Sequence, residues 1–135
     1  MPQQIFVNLP VKHVERAKAF FAGLGFSHNP QFSDEKAVCI VIADNIFAML
    51  LAEPFFQTFT KKPIADATKS TEVLVCLSCD SRAKVDELVA KAVAGGGKAP
   101  NPVQDHGFMY GHGFEDLDGH VWELVYMDPN AAPPH

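Results

Sequence analysis

The sequence contains no run of basic residues and no long uninterrupted apolar segment. Its eleven lysines and arginines are outnumbered by sixteen aspartates and glutamates, and the formal net charge of −5 argues against nucleic acid as a partner. The longest apolar stretch, at 38–52, is interrupted by Asp44 and Asn45, so we expect no membrane-spanning helix. The first residues lack a basic segment followed by an apolar core, and we therefore expect no signal peptide.

Cysteine is also scarce, and the three that occur have no spacing typical of a disulfide framework. Cys39, Cys76 and Cys79 are best explained as reduced thiols, which predicts a cytoplasmic location. Cys76 and Cys79 would face opposite sides of a strand, which disfavours a redox dithiol and favours small buried apolar side chains. The sequence also has no glycine-rich phosphate loop, no nucleophile elbow and no Ser-His-Asp order.

One order of secondary-structure elements occurs twice along the chain. The first copy has a strand at 5–11, a helix at 14–22 and strands at 26–32, 37–43 and 46–53. The second has a strand at 73–79, a helix capped near Asp80 and Ser81, and strands near 98–104, 109–116 and 120–127. A shift of 68 positions places Val7 on Val75 and Asn8 on Cys76.

This repeat predicts an α+β fold of two βαβββ modules. The curved mixed sheets of the modules are expected to pair around a cleft, with the helices outside. We predict a single domain over 1–135, with a first module at about 5–53, a linker at 54–71, a second module at about 72–127 and a tail at 128–135.

The segment 114–125, FEDLDGHVWELV, predicts a β-hairpin with Asp118-Gly119 as a two-residue turn. After the turn, Trp122 and Leu124 share one face of the strand, which we assign to the core. Glu123 lies on the opposite face, where a carboxylate must meet water, a cation or a ligand. Glu123 is therefore the first candidate for a functional residue.

The same turn predicts a partner for Glu123. It pairs Phe114 with Glu123 and places His112 diagonally from Glu123 on the same face. His112 and Glu123 would then bind a polar ligand group or transfer a proton; the alternative is a surface histidine bonded to a nearby carboxylate. His106 and Tyr110 are further candidates for ligand binding, whereas His120, beside the turn, is expected to be solvated.

Two segments resemble the vicinal oxygen chelate superfamily, which includes glyoxalase I, extradiol dioxygenases and bleomycin resistance proteins. They are LPVKHVERAKAFFAGLGF at 9–26 and FEDLDGHVWEL at 114–124. The second is similar to the F-x-D-P-D-G-x-x-x-E-L ending of that family, with Leu117 in place of the proline. The resemblance extends from Ile5 to Met127. It implies the fold, the cleft and a homodimer, but no particular reaction.

The resemblance also implies positions for metal ligands, and there the sequence departs from the family. The family's histidines fall at Phe6 and Leu74, and the ligand of the first module's last strand falls within 49–51, where the residues are Met-Leu-Leu. Only Glu123 matches a ligand position. One carboxylate is too few ligands for a divalent ion, so we expect no metal there and no other cofactor.

Three functions remain open from the sequence. The first is metal-independent binding of a small aromatic or apolar molecule. The second is a metal-dependent lyase, isomerase or dioxygenase, similar to lactoylglutathione lyase or extradiol dioxygenases, in which His106 or His112 joins Glu123 at a divalent metal. The third is a metal-free enzyme that uses Glu123 and His112 as acid and base. The candidates for ligand binding are Phe6, Asn8, Leu74, Cys76, His106 and Tyr110.

Three phenylalanines in the linker complete the candidates. Phe55, Phe56 and Phe59 are expected either to pack into a local core or to form a lid over the ligand, because loops on a rigid scaffold often carry binding residues.

Overall fold

The structure, a computed structural model, describes residues 3–130. The chain divides into two compact units between Ala65 and Asp66, inside the linker predicted at 54–71. Residues 131–135 of the predicted tail lie outside the described residues, and the assignment of 1–135 to a single domain stays a prediction. Within 3–130, no helix is both long and apolar enough to cross a membrane.

The first unit contains a four-stranded mixed sheet in the order β1-β4-β3-β2. Strand β1 (Ile5–Val11) is parallel to β4 (Ile46–Ala52), whereas β3 (Ala37–Ala43) is antiparallel to both β4 and β2 (Ser27–His28). Helix α1 (Val14–Gly23) packs on β3 and β4 through its apolar stripe. The buried residues of the helix and the sheet include Leu9, Val11, Val14, Ala17, Phe20, Phe21, Val38, Ile40, Ala48 and Leu50.

The second unit repeats this arrangement with the sheet order β5-β8-β7-β6. Strand β5 (Leu74–Ser78) is parallel to β8 (Val121–Met127), whereas β7 (Met109–Glu115) is antiparallel to β8 and to the short β6 (Gln104–Asp105). Helix α3 (Arg82–Ala94) begins after Ser81, whose hydroxyl accepts the Lys84 N–H at 3.0 Å, as predicted for the cap. It packs on β7 and β8 with Val85, Leu88, Val89 and Ala92 buried.

The repeated topology confirms the predicted fold class of two modules with mixed sheets, and both sheets are open rather than closed into barrels. Two predicted strands are mostly wrong. The segment 26–32 is a strand only at Ser27–His28, and a 3-10 turn follows at Pro30–Phe32. In 98–104, Lys98 forms an isolated bridge and pairing resumes only at Gln104. Prolines explain both cases, because they cannot donate a hydrogen bond to a neighbouring strand.

The phenylalanine-rich segment after β4 forms a short helix, α2 (Glu53–Phe56), and a 3-10 turn at Gln57–Phe59. The rings of Phe55 and Phe59 meet edge to face with their centroids 5.3 Å apart. No residue of either element is buried, and Phe59 is 66% exposed. The expected local core is therefore not formed, and the role as a lid stays a prediction.

A buried hydrogen-bond network organises the loop between β7 and β8. The carboxylate of Asp116 accepts the backbone N–H groups of Asp118 and His120, at 2.9 and 3.0 Å, and the indole N–H of Trp122 at 3.0 Å. Burial raises the pKa of Asp116, while its neighbours His120 and Trp122 and the backbone donors lower it. His120 is 2% exposed, and its Nδ1 lies 2.8 Å from Oε1 of Glu72. The prediction that His120 is solvated is wrong.

The loop differs from the predicted two-residue turn, and the register of the hairpin differs with it. The N–H of Gly119 donates to the Asp116 carbonyl at 3.1 Å, and Gly119 has φ of +86°. No other residue type within 3–130 has positive φ, which excludes the predicted type I′ turn at Asp118-Gly119. The loop is longer than two residues and ends in a glycine bulge. Phe114 consequently pairs with Trp122, one residue away from the predicted partner Glu123.

Replacing Asp116 by alanine should lower the free energy of unfolding by roughly 2–4 kcal/mol, because several N–H donors lose their acceptor in a buried site. Urea unfolding measures the change. Asp80→Ala, which removes an exposed carboxylate from the same unit, is the control. Equal stability of the two variants would contradict a structural role for the network.

Candidate functional site

Glu123 lies in the middle of a row of three paired residues on the second sheet. It is paired with Cys76 of β5 on one side and with Gly113 of β7 on the other. Its neighbours along β8, Trp122 and Leu124, are 1% and 2% exposed and belong to the core. Alternation along the strand therefore places Glu123 on the face away from the core, as predicted.

The absence of a side chain at Gly113 gives the Glu123 carboxylate its position. A Cβ atom at residue 113 would lie 2.8 Å from Oε2 and 3.0 Å from Cδ of Glu123. The carboxylate thus lies directly over the backbone of β7. Any larger residue at position 113 would have to displace it.

A pocket of about 320 Å³ opens on this face of the second sheet. Strands β5, β7 and β8 contribute to it, together with the segment that precedes β6. Its volume is at the lower end of the range for small-molecule sites. The lining residues are Cys76, Asn101, Pro102, Gln104, Met109, Gly111, His112, Gly113, Glu123, Leu124 and Val125.

Glu123 dominates the electrostatics of this pocket, because the lining has no lysine or arginine and no second carboxylate. Its carboxylate accepts no hydrogen bond from any residue within 3–130. Burial raises the pKa of the Cys76 thiol, and the charge of Glu123 raises it further. A thiol of this kind stays protonated at neutral pH and is a poor nucleophile. Cys76 is exposed, so the prediction that it is a buried apolar residue is wrong.

The corrected register changes the position of His112. His112 pairs with Leu124, so its side chain starts on the core side of the sheet and not on the face of Glu123. Its Nε2 lies 2.8 Å from the carbonyl oxygen of Asn101. His112 still contributes to the wall of the pocket. The predicted same-face pair of His112 and Glu123 is wrong, because the loop adds one position to the register.

The two other candidates of the second hairpin lie apart from Glu123. The ring of Tyr110 is on the helix side, where its hydroxyl donates to Oδ1 of Asp86 at 2.6 Å, and this bond raises the pKa of Tyr110. His106 is exposed, and its Nε2 is 3.3 Å from Oε1 of Gln104. Neither Tyr110 nor His106 lines the pocket. Their role in ligand binding stays a prediction without geometric support.

The remaining candidates lie on the first strand of each unit. In the first unit, Phe6 stacks on Phe47 with ring centroids 4.8 Å apart, and the exposed Asn8 pairs with Met49. In the second unit, Leu74 is 60% exposed and lies two residues before Cys76 on the same face of β5. Of these candidates, Cys76 lies beside Glu123. Contacts of either residue with a ligand stay a prediction.

Known proteins share this architecture. Residues 3–43 match the model of the bleomycin resistance protein-like N-terminal family. A hypothetical protein from S. aureus has a solved structure that is 30% identical, with a TM-score of 0.78 and coverage of 93% of this chain and 95% of that one. Curated proteins give no match.

Two further solved structures carry family names. A glyoxalase/bleomycin resistance protein/dioxygenase family enzyme from Burkholderia phytofirmans has a TM-score of 0.76 at 15% identity, over 93% of this chain and 99% of its own. The bleomycin resistance determinant encoded on transposon Tn5 has a TM-score of 0.65 at 19% identity, over 94% and 99%. The family model at residues 3–43 and the shared fold support the vicinal oxygen chelate superfamily as the family of this chain. At 15% and 19% identity, the likeness to these two structures establishes the fold alone.

The resemblance to the vicinal oxygen chelate superfamily raises the question of its metal. By topology, Met49 beside Asn8 corresponds to Glu123 beside Cys76. The implied ligand positions thus carry a phenylalanine, a methionine, a leucine and a single carboxylate, and only the carboxylate offers an oxygen or nitrogen donor. Within 3–130, no group of three or more histidines, cysteines and acidic residues is placed to hold a metal. The residues present therefore do not fit a metal at the family's position.

The part of the pocket that carries no side chains was not predicted from the sequence. Gly111 and Gly113 alternate on β7, so two successive positions on the face of Glu123 carry no side chain. The G-H-G pattern was the available signal, because glycine inside a strand often marks a close approach of a ligand or another group. Asn101 and Pro102 carry no such signal, since they reach the pocket only through an irregular segment.

The contact between Glu123 and Cys76 can be tested through thiol chemistry. Glu123→Gln removes a negative charge beside the thiol, so the pKa of Cys76 should fall and its alkylation by iodoacetamide should begin at lower pH. Peptide mass spectrometry across a pH series measures each cysteine separately. Cys79, whose pKa is raised by burial and by groups other than Glu123, is the internal control. An unchanged profile for Cys76 would show that the carboxylate does not lie beside it.

Proposed function

We propose that this chain is a small-molecule-binding protein that holds its ligand in the pocket of the second unit, with Glu123 as the main polar contact. The observation that carries the proposal is the Glu123 carboxylate, which lies over Gly113 at the pocket wall and accepts no hydrogen bond from residues 3–130. The carboxylate is half-buried, and a donor on a ligand would give it a charge-assisted partner. A ligand with a polar group beside an apolar body would supply that partner.

The apolar part of the wall supports a ligand with an apolar or aromatic body. Pro102, Met109 and Val125 line the pocket, and Gly111 contributes backbone without a side chain. Burial of apolar ligand surface against such a wall contributes about 25 cal/mol per Å². The position of Glu123 would then determine the orientation of the ligand.

Binding is favoured over acid–base catalysis by the surroundings of Glu123. A general acid–base pair needs both groups within hydrogen-bonding reach of the same substrate atoms. His112 starts on the other side of the sheet and faces the carbonyl of Asn101, and the raised pKa of Cys76 makes its thiol a weak nucleophile. The metal-free enzyme would need His112 beside Glu123 as its acid or base, and this geometry does not support that pairing.

The metal-dependent alternative required displaced histidines near Glu123. His106 lies outside the pocket, and the Nε2 of His112 faces a backbone carbonyl. This geometry gives no support to a lyase or dioxygenase with ligands from these positions. We therefore propose binding without the family metal. The homodimer and the cytoplasmic location stay predictions.

The binding proposal predicts that Glu123→Gln weakens the ligand and leaves the fold intact. The amide has the shape of the carboxylate but lacks its charge, so the loss should be about 1.5–3 kcal/mol of binding free energy. Thermal-shift screening of aromatic and dicarbonyl compounds, followed by titration calorimetry, measures it. Glu115→Gln is the control, since it removes a β7 carboxylate outside the pocket lining. A compound that binds the wild-type protein and Glu123→Gln equally would remove Glu123 from the site.

The proposed absence of a tightly bound metal can be tested by elemental analysis. Purified protein should contain far less than one equivalent of zinc, nickel, iron or manganese, because a single carboxylate does not hold a divalent ion tightly. Elemental analysis without added salt measures the content. One equivalent of a metal that disappears in Glu123→Ala would overturn the proposal and assign Glu123 to a metal site.

A further inference from the structure

We infer that the pocket of the second unit selects a small organic cation, a protonated amine on a compact apolar or aromatic group. This inference rests on the proposed function and adds the chemical class of the ligand. The ammonium group would donate to the Glu123 carboxylate, while the apolar part would lie along the bare backbone of β7. Three features of the pocket lead to this class.

The first feature is the charge of the lining. Glu123 supplies one negative charge, and no lysine or arginine of the lining compensates it. The neutral thiol of Cys76 adds no charge. An anionic ligand would meet a like charge without a cation to offset it, whereas a cationic ligand would form a charge-assisted hydrogen bond.

The second feature is the distribution of donors and acceptors. Asn101 and Gln104 line the pocket, but within 3–130 neither of their side-chain amides donates a hydrogen bond to the Glu123 carboxylate. The Cys76 thiol is a weak donor at best. A strong donor on the ligand would then supply the hydrogen bond that the carboxylate lacks within 3–130. An ammonium group carries up to three such donors in a small volume.

The third feature is the room around the carboxylate. The Glu123 carboxylate occupies the space over Gly113, and the next position on the same face of β7 is Gly111. A planar group can lie against the backbone at Gly111, beside the carboxylate, in a pocket that Met109 and Pro102 also line. The volume of about 320 Å³ suits one ring system with a short amine arm. Gly113 is thus inferred to be a specificity-determining residue.

The test compares naphthylmethylamine with the neutral naphthylmethanol and the anionic naphthoate, three probes of the same ring. Titration calorimetry gives the affinities, and amide chemical shifts of Gly111 and Gly113 report the site. The amine should bind at least roughly tenfold more tightly than the alcohol, and the carboxylate should not bind. Equal binding of the amine and the alcohol at these amides would overturn the inference and leave the proposed function standing.

Two variants connect the selectivity to the geometry. Glu123→Gln should remove the preference for the amine, and Gly113→Ala should reduce it because the new Cβ displaces the carboxylate. Gly113 has no positive φ, so alanine fits its backbone and the fold should be retained, which circular dichroism verifies. Glu115→Gln should keep the amine affinity within about twofold, since the charge it removes is outside the lining. Loss of selectivity in Glu115→Gln instead would indicate nonspecific attraction and overturn the inference.

The failures of the two proposals are separable. If only neutral aromatic compounds perturb Gly111 and Gly113, the amine class is wrong and ligand binding in the pocket remains. If neither the amine, the alcohol nor the compounds of the thermal-shift screen perturb these amides at millimolar concentration, the proposed function itself fails.

Discussion

The register between β7 and β8 is the constraint on which the candidate site depends. Because side chains alternate along a strand, a shift of one residue moves every side chain to the other face. The Asp116 network and the glycine bulge at Gly119 fix this register on the side of the loop. Gly113 is thereby the residue opposite Glu123. The buried Asp116 network thus determines which residues neighbour Glu123, although Glu123 is not part of that network.

The two units use one topology with different chemistry at equivalent positions. Across the paired strands, Asn8 lies opposite Met49 in the first unit, and Cys76 lies opposite Glu123 in the second. Packing of each helix on its sheet requires buried residues on the face toward the helix, and both units have them. The outward positions are free of that requirement, so a duplicated fold can place a charge in one copy and an apolar side chain in the other.

Periodicity and turn signals predicted the fold because they are local properties of the sequence. The strands at 37–43 and 109–116, the cap at Ser81 and the outward side of Glu123 all followed from them. The site was predicted less completely, since its neighbours depend on a loop conformation. The Asp-Gly pair indicated a two-residue turn, but hydrogen bonds from residues four and six positions after Asp116 decided otherwise. Those bonds form only in the folded core.

The glycines at positions 111 and 113 of β7 have an evolutionary consequence. A single substitution at Gly113 would change what Glu123 can contact while leaving residue 123 unchanged. Relatives that carry the same glutamate need not share a ligand, and relatives that differ only at the opposite strand can differ in what they bind. Comparison of such proteins by their acidic residue alone would group together sites with different selectivity. The position to compare first is that of Gly113, which has no side chain.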